Sequence, residues 1–307
     1  MIVPAPKRNR WQTTIRVVGT ITAFALLVYL LSQQGWDEIN SILRRIPPWR
    51  IVFAVVLMMV SRFAVITRWH VLLRTVDIRI PYAQSARITF AGLFASNFLP
   101  TTIGGDVVRI AMALQLGYDR AVCAASVVAD RLLGMVGMAT AIPFGITALL
   151  GTDWTHISRE AALTGFVSRA GKQVRDVVER LVQASLLWAK SPRGVLFAFG
   201  MTWIHQLSLF GIVWLLLTGM GETIPFWTTA GLWSFTYFVT LLPISIGGLG
   251  LQALSMTFIF TTVGGVTQES AAIAALMMRT LQALASIPGG FLIPRVLAEL
   301  RRASIND

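Results

Sequence analysis

Charge is what this chain has least of. Only 13% of its 307 residues are Asp, Glu, Lys or Arg, against about 25% in an ordinary soluble domain. Carboxylates are the scarcer sign, 14 against 26 basic residues, for a net charge of +12. A single cysteine, Cys123, excludes an internal disulfide framework and a cysteine-based metal cluster. Three histidines, His70, His156 and His205, lie far apart with no ligand spacing, so no metal or other cofactor is expected. The one Gly-Lys pair, Gly171-Lys172, lacks the phosphate-loop pattern, which argues against ATP hydrolysis. No Ser-His-Asp arrangement stands out, and catalysis is not expected.

What fills the chain instead is apolar. Hydrophobic residues make up 55%, and the mean hydropathy is +0.68. Long uncharged runs of helix length mark an all-α polytopic membrane protein of about seven to eight transmembrane helices. The basic residues gather at the ends of these runs. Anionic lipid headgroups are therefore expected as partners, and nucleic acid is not.

Lys7, Arg8, Arg10 and Arg16 precede an uncharged stretch, residues 17–36, read as an uncleaved first helix with a cytoplasmic N-terminus. A second helix runs from about Trp49 to Leu73, a third from about Tyr82, a short one from Asp106 to Leu116, and a fourth from about Ala121 to Leu150. Residues 153–192 carry mixed charge, with Val174, Val177, Val178, Leu181 and Val182 on one helical stripe. This is an amphipathic segment on the cytoplasmic surface, or one packed beneath the bundle. Helix five covers about Gly194 to Leu217. Residues 223–268 hold no charge and accommodate helices six and seven. Helix eight begins near Ser270, with a kink at Pro288-Gly289-Gly290, and Arg295, Arg301 and Arg302 put the C-terminus in the cytoplasm of an inner-membrane protein.

Two interruptions organise this pattern. Leu99-Pro100-Thr101-Thr102-Ile103-Gly104-Gly105 is repeated as Leu242-Pro243-Ile244-Ser245-Ile246-Gly247-Gly248. Proline lacks an N–H and paired glycines relax the backbone, so each copy reads as a broken or re-entrant helix. Interrupted helices at corresponding places in two halves point to a transporter's binding region. Counting crossings from the C-terminus makes the repeat inverted. The halves are residues 1–152, broken at 97–109, and 193–307, broken at 240–252. The plainer alternative is that the glycines only allow close helix packing.

Ionisable groups within the runs are few. Arg62 sits near the middle of its helix, where an unpaired charge costs on the order of 2.5–3.5 kcal/mol. It is expected to pair with Asp130 or Asp106. Arg68, beside Trp69, reads as a side chain reaching for the interface. Asp106 reads as the cap of the helix after the first break, orienting Arg109. Asp130 and Arg131 are sequence neighbours that need not pair, and Asp130 could be structural or functional. His205 reads as a hydrogen-bonded bundle residue.

Nearly the whole chain resembles the flippase-like membrane domain of the lysylphosphatidylglycerol synthases. The likeness rests on Arg68-Trp69-x-x-Leu72-Leu73, on Asn97 and Pro100 through Gly104-Gly105-Asp106-x-x-Arg109, and on Ser126 through Leu133. It continues in Leu242-Pro243-x-x-x-Gly247-Gly248-Leu249-Gly250 and in Arg279. It departs at Gln252-Ala253, where the family commonly carries a carboxylate. The resemblance implies a single membrane domain that moves an anionic or polyprenyl-phosphate-linked lipid between leaflets. About ten residues after helix eight leave no room for the family's soluble aminoacyl-transferring domain, so the translocating half alone is expected. The alternatives are an accessory subunit or intramembrane enzyme of lipid or glycan biosynthesis, with the corresponding synthesis enzymes as partners, and a structural scaffold. The candidate substrate-binding residues are Asn97, Gly104, Gly105, Asp106 and Arg109 at the first break and Gly247, Gly248 and Gln252 at the second. Arg62, Asp130, Arg131 and Arg279 complete the set.

Overall fold

The computed structural model describes residues 44–98, 104–145, 191–241 and 250–291. The first helix over 17–36, the amphipathic segment, the two break loops with Gly247 and Gly248, and the C-terminal arginines lie outside the described residues. Among these residues eight α-helices follow in order: α1 Pro48–Arg74, α2 Tyr82–Phe98, α3 Gly104–Gln115, α4 Arg120–Ala141, α5 Pro192–Gly219, α6 Phe226–Thr240, α7 Leu251–Thr262 and α8 Gln268–Gly290. No strand occurs among the described residues.

Local chemistry accounts for the helix ends. Pro48 and Pro192 occupy first turns, where a missing N–H costs no hydrogen bond. Asp119 accepts a hydrogen bond from the Val122 N–H and caps α4. Gly250, at φ 78°, turns the chain into α7. Buried hydroxyls return to their own helix, as in Thr202 to the Ala198 carbonyl, Ser234 to Ala230 and Thr236 to Leu232. Each is thereby satisfied in an apolar interior.

Among the described residues, four helices are long and apolar enough to cross a membrane: Pro48–Arg74, Arg120–Gly145, Pro192–Gly219 and Gln268–Gly290. The other four are short. At about 1.5 Å per residue, α3 and α7, with 12 residues each, cover well under the ~30 Å of a hydrocarbon core. They pack against the helices before them, α3 on α2 and α7 on α6. The open ends of both pairs are tied. The Tyr118 hydroxyl donates to the Arg79 carbonyl at 3.5 Å. Glu222 accepts from the Thr267 hydroxyl at 2.5 Å and from its N–H at 3.2 Å.

The largest interface joins α1 to α5, and these helices run antiparallel. Arg50, at the start of α1, donates to the Leu215 carbonyl and the Thr218 hydroxyl at the end of α5, at 3.1 and 2.7 Å. A cation at a helix C-terminus is favourably placed. Gly194, at the start of α5, abuts Thr75 beyond the end of α1. Midway, Ser61 Oγ and His205 Nδ1 share a hydrogen bond of 2.7 Å. Packing partners recur in order. As α1 meets α2 and α4, α5 meets α6 and α8; as α3 meets α4, α7 meets α8; α2 lies on α8 and α6 on α4.

Glycines permit the closest approaches. A Cβ on Gly105 would run into the Gly92 carbonyl and Ser96 Oγ, and one on Gly289 into the backbone of Phe90. Gly200 of α5 faces open space. Gly105→Ala should cost on the order of 1–3 kcal/mol, because a neighbouring backbone cannot swing aside. Gly200→Ala should be neutral or stabilising by up to about 1 kcal/mol. Melting temperatures of the two variants in detergent, compared with the parent, check the contrast.

Candidate functional site

Five charged side chains on three helices form a network that is buried except at Arg131, whose side chain is 34% exposed. Asp130 of α4 is 2% exposed. Its Oδ1 accepts from Arg68 Nε at 2.6 Å and its Oδ2 from Arg109 Nη1 at 3.0 Å. Arg109 also lies 3.5 Å from Asp106, which accepts a hydrogen bond from Arg131 Nε. The Arg109 guanidinium stacks over Trp69, 4.5 Å from the ring centroid, and Trp69 donates to Ser126 at 3.2 Å. Arg68 reaches further, to the Thr202 hydroxyl of α5 at 3.3 Å. The network ties α1, α3 and α4 together, with α5 attached through Thr202. The remaining donors of Arg109, Nε and Nη2, are buried with no hydrogen-bond partner among the described residues.

Three sequence readings are corrected here. Arg62 does not pair with Asp130 or Asp106, whose cations are Arg68, Arg109 and Arg131. Arg68 does not reach for an interface; it is 6% exposed and bound to Asp130. Asp106 is not a cap, because α3 already begins at Gly104. Asp106 sits inside the first turn, where a negative charge still suits the helix dipole.

Arg62 turns instead to a cleft of about 270 Å³. The cleft collects α1 through Arg62, α2 through Ser96, α5 through His205, α6 through Tyr237 and Thr240, α7 through Gln252, and α8 through Arg279 and Gln282. No carboxylate lines it among the described residues. Ser96 and Thr240 stand just before the two breaks and Gln252 just after the second, so the flank before the first interruption and both flanks of the second reach one polar space. Arg62 is 8% exposed, and its Nε has no hydrogen-bond partner among the described residues.

The candidate residues therefore separate. Arg62, Gln252 and Arg279 line the cleft, whereas Asp106, Arg109, Asp130 and Arg131 form the network. Gly104 and Gly105 are buried at the start of α3, and Gly105 is a packing contact. Asn97 belongs to the last turn of α2. Sequence reasoning missed Ser96, Tyr237 and Gln282, which are ordinary residues without a motif. For Arg68, the signal was its apolar flank, which lacks the acidic residues an exposed arginine usually meets.

A bundle of apolar helices, four of membrane-spanning length, enclosing buried charges and a polar cleft, is a multi-pass helical membrane protein. The sequence profile described as the Lysylphosphatidylglycerol synthase TM region matches residues 16–157 and 147–289. The chain belongs to that family. It is also 23% identical over 288 residues to a protein of Archaeoglobus fulgidus described as a UPF0104 membrane protein, covering 80% of this chain and 86% of that one.

The network makes a prediction about stability. Removing one member of a buried ion pair costs about 3–5 kcal/mol, because the partner charge stays behind. Asp130→Ala, which strands Arg68 and Arg109, should fall in that range. In double-mutant cycles, Arg68→Leu with Asp130→Leu should show a coupling above about 0.5 kcal/mol, and Arg62→Leu with Asp130→Leu should be additive within that margin. Unfolding in mixed micelles measures both.

Proposed function

We propose that this protein moves an anionic or polyprenyl-phosphate-linked lipid between the leaflets of the inner membrane, without chemical change to the lipid. The observation that carries the reading is the cleft. It sets Arg62 and Arg279 beside Ser96, before the first break, and Thr240 and Gln252, on either side of the second, with no lining carboxylate among the described residues. Two cations in an apolar bundle favour a bound anion, and arginine matches phosphate oxygens with paired donors. Family membership supports a membrane-lipid role.

The architecture fits such movement. Residues 1–152 and 193–307 form the two halves of one membrane domain, related by an inverted repeat. Supporting this, α1 and α5 are antiparallel and meet midway at Ser61 and His205, and the packing partners of α1–α4 recur in α5–α8. The short pairs α2–α3 and α6–α7 then enter as re-entrant hairpins from opposite faces. Transporters built this way rock one repeat against the other around a midplane site. Membrane lipids are the partners, both termini are cytoplasmic, and the protein is not an enzyme.

Reconstitution in liposomes with fluorescent phosphatidylglycerol or a labelled polyprenyl phosphate tests the function. The expected result is leaflet exchange, read by quenching of outer-leaflet dye, with the lipid recovered intact. A chemically modified lipid would make the protein an enzyme, and intact protein with no exchange of either probe would overturn the reading. Reporter fusions at Asp77, after α1, and at Glu222, after α5, should face opposite sides of the membrane; the same side for both would refute the inverted repeat.

A further inference from the structure

The two halves differ where their equivalent helices meet. Ile80-Pro81 leads into α2 and Ile224-Pro225 into α6, and Phe94 and Phe238 occupy the same place in each helix. Ile142-Pro143-Phe144-Gly145 closes the apolar run of α4, and Ile287-Pro288-Gly289-Gly290 closes that of α8. Since α2 lies on α8 and α6 on α4, the molecule holds two copies of one helix–helix seam.

The copies are packed differently. On α8, glycine lets α2 settle closely. A Cβ on Gly289 would meet the Phe90 carbonyl, and one on Gly290 the Phe94 ring. The second half of α2 is closed down, with Ala91, Gly92 and Ala95 buried, while Tyr82, Ala83 and Arg87 near its start are exposed. On α4, the contact is made where α6 begins. The Phe144 and Trp227 rings are 4.8 Å apart, Gly145 lies against Gly231, and the Ser234 hydroxyl reaches Met138 Sδ at 3.7 Å. Beyond that point α6 loosens. Thr229 through Ser234 are buried, whereas Tyr237, Phe238, Val239 and Thr240 are half-buried. Arg131, two turns before Met138 on the same face of α4, has a side chain 34% exposed. Thus α6 covers α4 over far less of its length than α2 covers α8.

Both seams border the cleft, one through Leu93 and Ser286, the other through Met138, Tyr237 and Thr240. A cleft of about 270 Å³ is small even for a ligand site, which runs from about 300 Å³ upward. A lipid that places its headgroup there leaves its hydrocarbon chains outside, and apolar chains stay in the bilayer. They must therefore pass between two helices, and α4 with α6 is the looser of the two pairs.

We propose that the seam between α4 and the second half of α6 is a lateral portal, occupied by the hydrocarbon chain of the lipid on its way from cleft to bilayer. The seam between α2 and α8 is its closed counterpart. Phe238 and Val239 give the portal an apolar wall, and the Ser234–Met138 contact marks where it ends. The assignment deepens the lipid-translocation reading and rests on it and on the repeat proposed with it, but photolabelling of the portal is read without any transport.

The test uses the full chain in phosphatidylcholine liposomes holding a minority of radiolabelled phosphatidylglycerol. A benzophenone side chain is introduced as Phe238→benzoylphenylalanine, and likewise at Phe94 in the closed seam and at Leu196, which is 70% exposed on α5. On illumination, position 238 should capture phosphatidylglycerol well above the share captured at 196, and position 94 should not. In a Cys123→Ala background, Phe238→Cys carrying a bulky maleimide should lose leaflet exchange, while Leu196→Cys carrying the same group should keep it. Melting curves confirm folding, and Thr240, on the same wall, takes the place of Phe238 if that variant does not fold. Capture at 238 no greater than at 196, equal enrichment at 94 and 238, or exchange that survives the blocked Phe238→Cys protein would each overturn the portal. Exchange by the parent together with any of these leaves the transport reading standing. Enriched capture at 238 alone, with no exchange by the parent, would keep a lipid in the seam and defeat transport.

Discussion

Asp130 is a carboxylate almost wholly removed from water, held on one oxygen by Arg68 and on the other by Arg109. A charge in such a place survives only if its partners are fixed, because the penalty for leaving it alone exceeds most single packing contacts. Those partners come from α1 and α3. The geometry of one side chain therefore sets how three helices meet. Trp69 and Ser126 brace the same point from α1 and α4. Arg131 and Asp106 extend it along α3 and α4. Buried ion pairs add little net stability against an apolar replacement, but they discriminate strongly between right and wrong registers. In a bundle whose other contacts are mostly nonspecific apolar packing, that discrimination gives the first four helices one arrangement.

The second four helices are arranged by different means. Around α6, α7 and α8 the core is apolar, with Trp233, Met256, Phe260, Ile273 and Met278 packed together. Close backbone contacts replace charge pairs: Gly231 lies against Gly145, and Gly264 against the Phe260 carbonyl and Leu232. Small residues allow such approaches where lipid offers helices no hydrophobic incentive to associate. Arg62 of α1 and Arg279 of α8 line the cleft between the two sets of helices. The antiparallel contact of α1 with α5, through Ser61 and His205, joins the two arrangements at mid-helix.

Much of this was legible in residue order. The second helix, expected from about Trp49 to Leu73, is Pro48–Arg74, and the third begins at Tyr82 as expected. The proline-glycine interruptions fall between α2 and α3 and between α6 and α7. Arg279 and Gln252, singled out from sequence, do line the cleft. The partner of Arg62 was misread, and so was the role of Arg68. Both are arginines on one apolar helix, six residues apart and so about 120° apart around its axis. Nothing local says which of the two faces α4.

Composition and pattern by themselves determined that this is a helical membrane protein and roughly where most of the described helices begin. Those properties depend on hydropathy summed along a segment and on the backbone limits of proline and glycine, which act within a few residues. Tertiary structure alone decided that Asp130 belongs to Arg68 and Arg109, that Asp106 belongs to Arg131, and that Arg62 and Arg279 share a cleft. Side chains from α1, α3, α4 and α8 meet only after helix rotation and crossing angle are set. At close range a displacement of a few ångströms decides which carboxylate an arginine meets.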